Sequence, residues 1–409
     1  MPEGHKECGE RSNRVLKARG INRTLQKENN IKQIIQLLYR LETCSRVSLA
    51  KEMHLTQAAM TKRINPLIES GLIEEVSLID TDSGRKPKQL KLNSGKFSIV
   101  AGRINRDYVI ASVFTLRGEL IHEMSLSFDR DSQPEDVFGK FQDMISEVMR
   151  RTSSRILGIG VAVPGPFNMF TNTVTLVSGF AGWNRIDIKG DLEKRFNLPV
   201  FLEQDANCGA LAELWCRKNN RYNNIVYVTA DRGVGSGLVV DGRVYHGNVG
   251  YAGEFGHMSI NFDGPLCECG NHGCLELYCS TNALEKRYME LSGSKTLVKV
   301  PQVFSLVKSG DETARSAYEE ILKYLAFGCA SIVNVMNPDV IIFADKITGG
   351  GEYFLTTMRR YLKQFLMSEI YSDLAIEVSS FAGDPTVLGA SVNVLERMLE
   401  TRFSVFNPQ

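Results

Sequence analysis

No stretch of the sequence stays apolar for the roughly 20 residues that cross a bilayer. No apolar secretory segment follows Met1. Membrane insertion is therefore not expected, and a cytoplasmic location is. Neither sign of charge dominates: Lys and Arg number 48 against 47 Asp and Glu, a net +1. That excludes a grossly basic protein, so any nucleic-acid site must be a local patch. Cysteine is sparse and odd in number, nine in all. Without a secretory segment, that count fits a reducing compartment better than a disulfide framework. With 43% hydrophobic and 23% charged residues, the composition is that of a soluble globular protein. A chain of 409 residues is too long for one ordinary core, so two or three domains are expected.

What is present is concentrated between Glu254 and Glu276. The segment reads Glu254-Phe-Gly-His257, nine residues, then Cys267-Glu-Cys269-Gly-Asn-His-Gly-Cys274-Leu-Glu276. One His and three Cys at short spacing in a Gly-rich stretch suit a tetrahedral Zn(II) site made by His257, Cys267, Cys269 and Cys274. His272, inside the knuckle, is an alternative fourth ligand. A cluster of buried thiols or a disulfide is the plainer alternative, and the spacing favours metal. Four protein ligands leave no open coordination position, so such a zinc is structural. Glu254 and Glu276 are then not needed as ligands. If the knuckle folds over a cleft, they can accept hydrogen bonds from hydroxyl groups.

Glu-x-Gly-His followed by Cys-x-Cys-Gly-Asn-x-Gly-Cys-Leu-Glu resembles the ROK family of repressors, open reading frames and sugar kinases. The match continues upstream and downstream over most of the chain. The resemblance implies an α/β protein with the duplicated actin-like, ribonuclease H-like sugar kinase fold, two α/β domains around a cleft.

Residues 1–29 hold seven Lys and Arg against four Glu and few apolar residues. A flexible basic arm near DNA and an inert solvated tail are both open readings. Residues 30–93 read as a separate domain. Ile31, Ile34, Ile35, Leu38 and Leu41 recur at helical spacing. Ser45 can cap a second helix and Thr56 a third, which Gly71 stops. Two helices joined by the tight turn His54-Leu55 form the helix-turn-helix pattern. At the start of the third helix, Thr56, Gln57, Ala58, Ala59 and Thr61 suit base edges, while Lys62 and Arg63 suit phosphates. Leu72–Val76 and Gln89–Leu92 read as two strands around a basic turn, Gly84-Arg85-Lys86-Pro87. That outlines a wing on an otherwise all-α domain, with Arg85 and Lys86 placed for a minor-groove or phosphate contact. Any small three-helix bundle shares the helical spacing, and a solvated hairpin tip shares the turn. Helix and wing together favour DNA. The segment also resembles the N-terminal DNA-binding region of ROK repressors, which ROK kinases lack.

From Phe97 the pattern changes. Three consecutive strands lie near 98–104, 108–114 and 118–123. Ser132 and Glu135 read as a capping box for a helix with Val137, Phe138, Phe141, Met144, Ile145 and Val148 inward. Ile156–Val163 is a buried strand. Strands near 224–229, 237–245 and 340–344 repeat the theme, and a final helix spans Thr386–Leu399. The expected domains are 94–208 with 386–409, and 209–385 with the zinc knuckle.

In ROK kinases an Asp-x-Gly-Gly-Thr turn grips phosphate and Mg(II). Arg103, Asn105, Arg106 and Asp107 stand at its Asp, its two Gly and its Thr. Asp231-Arg232 replaces small residues in the second glycine turn, and Ala344-Asp345-Lys346 replaces a glycine run that holds adenosine. Loss of the metal acid and both glycines argues against phosphoryl transfer. The sugar side matches better. By resemblance Asp205 is the family's catalytic base, and Glu254, His257 and Glu276 face the sugar, with His257 also a zinc ligand. Gln204 replaces an Asn and Gly179 a sugar-binding Asn. Trp183 reads as core, and His246 as a loop histidine rather than a ligand.

The expected protein is a sugar-responsive DNA-binding regulator, a repressor of carbohydrate uptake or catabolism. It would act as a homodimer or tetramer on a palindromic double-stranded operator, with a sugar or sugar phosphate as effector. The alternatives are a sugar kinase with residual phosphotransfer and a repressor controlled by a protein inducer.

Overall fold

A computed structural model describes residues 23–76, 88–129, 132–174, 182–217, 221–381 and 383–401. Most of the basic arm, Arg85 and Lys86 of the wing, and Gly179 lie outside the described residues.

The N-terminal unit has three helices, α1 (Arg23–Leu41), α2 (Arg46–Glu52) and α3 (Gln57–Glu69). The first begins earlier than residue 30, because its opening turns are nearly all polar and carry no apolar period. Ser45 Oγ accepts from the Ser48 amide at 3.0 Å, and Thr56 Oγ1 from the Ala59 amide at 3.2 Å. Each cap satisfies an amide that the first turn leaves without a partner. Gly71, at φ +76°, ends α3. Ile73–Val76 pairs antiparallel with Gln89–Leu92, which also pairs with Cys44–Ser45. The wing domain is thus mixed rather than all-α. Ser45, extended at ψ 154° to cap α2, leaves the chain before it extended enough to join the sheet.

Two five-stranded sheets follow, and they repeat one pattern. In the first, Phe97–Ile104 pairs antiparallel with Tyr108–Thr115, which pairs with Leu120–Ser127. On its other side it runs parallel to Arg155–Val163, and that strand to Val200–Gln204. In the second, Ile225–Ala230 pairs antiparallel with Val234–Val240 and through it with Arg243–Val244. On its other side lie Val340–Ala344 and Ala375–Val378, both parallel. A hairpin plus two parallel crossovers, made twice, is a duplicated fold. The strand expected over 237–245 is two strands. Asp241 and Gly242, at φ +51° and +70°, form a two-residue hairpin turn of the kind that needs positive φ at both positions.

The helix Pro134–Arg150 buries Val137, Phe138, Phe141, Met144, Ile145 and Val148 on the first sheet, the face its period predicts. Its capping box is absent. Gln133 stands at the cap without a side-chain bond, because Pro134 sets the first helical φ and moves the start past Ser132. Helices Asp205–Cys216 and Pro385–Thr401 cross closely between the lobes. A Cβ on Gly389 would lie 1.7 Å from the Cys208 carbonyl oxygen, so only glycine fits there.

The N-terminal unit is packed onto this body, not strung from it. Ile34, Ile35, Leu38, Met60 and Leu67 share one buried cluster with Leu116, Trp215, Tyr227 and Met398. Tyr39 meets Trp215 edge-on at 6.2 Å, and Lys32 pairs with Glu396. Among the described residues, no helix is long and apolar enough to cross a membrane.

Candidate functional site

The carboxyl ends of the strands in both sheets face one cleft, the usual ligand position in open α/β sheets. Asp205 follows the strand Val200–Gln204, and Asp345 follows Val340–Ala344. Glu254 and His257 bracket a short 3₁₀ turn, and Glu276 opens the helix Glu276–Cys279. All four residues expected at a sugar, Asp205, Glu254, His257 and Glu276, line this cleft, which holds about 540 Å³ of space including open solvent. His257 Nε2 lies 3.9 Å from Glu254 Oε2, and Nδ1 lies 3.6 Å from Glu276 Oε1. Gln204 Nε2 donates to Glu254 Oε1 at 2.7 Å, so the Gln at this position orients an acid of the cleft. Burial, with Asp205 and Glu276 adding repulsion, pushes the Glu254 carboxyl up to about 7. Near neutral pH it can donate as well as accept. Burial also raises Asp205, against the pull of Arg103.

The knuckle brings His257, Cys267, Cys269 and Cys274 together, with ligand atoms all within 4.8 Å of one another. Cys269 Sγ is 3.6 Å from Cys274 Sγ, and Cys267 Sγ is 3.8 Å from His257 Nδ1. A tetrahedron with metal–sulfur bonds of about 2.3 Å has edges of about 3.8 Å, so the set fits a metal. Gly273 makes the turn possible. Its φ is +64°, and a Cβ there would sit 1.7 Å from the Asn261 carbonyl oxygen. His272 is not part of the cluster: its Nδ1 bonds the Gly264 carbonyl at 3.0 Å.

Opposite the knuckle, charge fills the place of the first phosphate turn. Arg103 is buried with Asp384 at 2.9 Å, Asp345 at 3.5 Å and Asp205 at 3.6 Å. Burial works against the charge on Asp345, but Arg103 and the Thr229 hydroxyl hold its carboxyl below the usual range. Asp107 meets Arg232 at 3.3 Å and Lys346 at 3.8 Å, and Lys346 meets Asp231 at 2.8 Å. The two pairs of Asp107 join the first lobe to the second. The Asp107 carboxylate, where ROK kinases carry a Thr, is taken up by two cations.

The helix-turn-helix residues lie at the start of α3. Thr56, Gln57, Ala58 and Lys62 are exposed, and Ala59, Thr61 and Arg63 half-buried. Arg63 Nη1 is engaged with the Ala59 carbonyl at 3.0 Å, which draws it back along its own helix. Arg46 on α2 bonds Asn65 and Glu75, tying the two helices to the sheet.

The sequence profile of the ROK family matches residues 100–397. The chain belongs to the ROK family. It is 29% identical over 393 residues to the xylose repressor of Caldicellulosiruptor bescii, covering 92% of this chain and 98% of that protein. It is 27% identical over 293 residues to the glucokinase of Thermotoga maritima, covering 69% of this chain and 92% of that one. A crystal structure of a ROK family transcriptional regulator, a homolog of the E. coli MLC protein, superposes with a TM-score of 0.77 at 24% identity. It covers 92% of this chain and 99% of its own.

Within this ROK body, two features escaped the sequence reading. His246 is a loop residue, but its Nε2 lies 2.9 Å from Glu203 Oε2. Burial raises Glu203, yet His246 and Asn207 hold it below the usual carboxylate range. A buried Glu at the end of a ROK strand calls for a partner, and that signal was available. Arg106 was read only as a lost glycine, whereas its side chain lines the cleft. Trp183 is core, packed edge-on against Phe138.

Proposed function

We propose that this ROK protein is a sugar-responsive transcriptional repressor, with Asp205, Glu254, His257 and Glu276 holding the effector in the cleft. The observation that carries the reading is the pairing of an intact helix-turn-helix with a cleft whose phosphate end is filled by Arg103. Relatives support it. The xylose repressor aligns over the reading head as well as the body, whereas the glucokinase alignment spans 69% of the chain. Phosphoryl transfer needs cations or a metal around the transferred group. Here three carboxylates converge on a buried arginine, and we infer that ATP is not used.

Zinc, on the four-ligand set of the knuckle, fixes one face of the cleft. With four protein ligands it holds structure and does not act on substrate. Two chains place two α3 helices on a palindromic operator, with Gln57, Ala58, Ala59 and Thr61 toward bases and Lys62 toward phosphate. Arg85 and Lys86 serve as the wing contact. The cytoplasm is the setting. Because the core of the head is continuous with the body, a lobe movement on sugar binding shifts the spacing of the two heads. A coupling of roughly 1–3 kcal/mol is typical of such linkage.

Lys62→Ala tests the DNA half. Affinity falls by a similar factor on every sequence, and the slope of log affinity against log salt shrinks by about one. Fluorescence anisotropy at several salt concentrations measures both. An unchanged slope removes Lys62 from the phosphate contacts.

A further inference from the structure

Four cations surround the cleft, and three are committed. Arg103 has Asp384, Asp345 and Asp205. Arg232 has Asp107, and Lys346 has Asp231. The acids of the sugar side have neighbours too. Asp205 faces Arg103, Glu254 accepts from Gln204, and Glu276 Oε1 lies 3.6 Å from His257 Nδ1. Arg106 is different. Its backbone amide bonds Asn105 Oδ1 at 2.7 Å, while its guanidinium makes no hydrogen bond or ion pair among the described residues. It lines the same cleft as Asp205, Glu254 and His257.

Its position is built. A Cβ on Gly233 would lie 2.5 Å from Arg106 Nη1 and 2.7 Å from Nη2. Gly233 is not among the glycines with positive φ, so its backbone does not require glycine. The guanidinium, the movable end of a long side chain, occupies the space over its Cα, so an alanine there pushes it aside. The Asp205 and Glu254 carboxylates feel its charge, yet neither is bonded to it, and a half-buried planar fork with five free donors matches the geometry of a carboxylate or phosphate.

We infer that the cleft takes an anionic sugar, one bearing a phosphate or a carboxylate, and that Arg106 recognises its oxyanion. This rests on the sugar-responsive reading and narrows its ligand class. The neutral part of the ring meets the acids, and the charged substituent meets Arg106.

Calorimetry on the full chain tests it, with neutral pentoses and hexoses, their phosphates, the matching sugar acids and inorganic phosphate. For the ring that binds, the anionic form binds at least tenfold more tightly than the neutral one, the scale of a charge-assisted contact. Arg106→Gln brings that ratio close to one, and Arg106→Lys keeps part of it. Gly233→Ala retains the arginine but displaces its guanidinium, and lowers the ratio as well. Agreement of the two variants separates loss of recognition from misfolding. A preference for phosphate over sugar acid, or the reverse, identifies the oxyanion. Neutral sugar bound as tightly as its anionic form, or a ratio unmoved by Arg106→Gln, overturns the inference and leaves the sugar reading standing. No binding by any compound, in protein with an intact melting transition, brings down both.

Discussion

Arg103→Ala destabilises the protein by about 3–5 kcal/mol at neutral pH, the cost of leaving buried charge without its partner. The side chain is 4% exposed, and Asp384, Asp345 and Asp205 converge on it from separate parts of the chain. Their acid groups then stand together, each less than a fifth exposed, with no cation between them. The sign of the pH dependence identifies the mechanism. In the native protein Asp345 is held below its usual value. It therefore stabilises the fold above the unfolded carboxyl pKa, and that contribution is lost as pH falls through the folded value. Without Arg103, burial and mutual repulsion raise these acids. The variant is then most stable at low pH and weakens as pH rises from about 4 to 7. Urea unfolding at several pH values measures this. A variant as stable as the native protein at pH 7, with the same pH slope, would remove the arginine from the centre of the account.

Cys274→Ser has a comparably large effect on the other wall of the cleft. One bound zinc is expected in the native chain and none in the variant. Structural zinc contributes on the order of 10 kcal/mol of binding free energy in small domains. The knuckle holds His257 and places Glu276 two residues beyond Cys274, so effector affinity falls by at least a hundredfold. Metal analysis and calorimetry report the two losses together. DNA binding falls less, since α3 shares no residue with the knuckle. A variant without zinc that binds effector normally would make the cluster an unrelated set of thiols.

The parts legible in the sequence are those set by local spacing. Ser45 and Thr56 cap their helices because a side-chain oxygen three residues before an amide needs no tertiary help. The zinc set is read from four residues within one short segment. The capping box at Ser132 failed for an equally local reason, a proline at the next-but-one position. What stayed hidden depends on distant contacts. Arg103 meets Asp345 and Asp384, 242 and 281 residues away. The substitution was visible in the sequence, but the acids that complete it were not. Gly233 lies in the second glycine turn, and what stands over its Cα is the Arg106 guanidinium from the other lobe. The four residues expected at a sugar do share one cleft, three of them from a single motif, whereas the sequence marks the Arg103 end as a loss rather than a replacement.

The central claim joins DNA and sugar in one molecule, and one titration addresses it. Fluorescence anisotropy is followed with the full chain on DNA from its own upstream region, at fixed salt because salt alone changes affinity strongly. Neutral and anionic sugars are added in turn. The account predicts tight binding that one class of sugar weakens at least fivefold, the low end of a usual allosteric coupling. Tight binding indifferent to every sugar would contradict sugar control and point to a protein inducer. Absence of DNA binding would contradict the repressor itself.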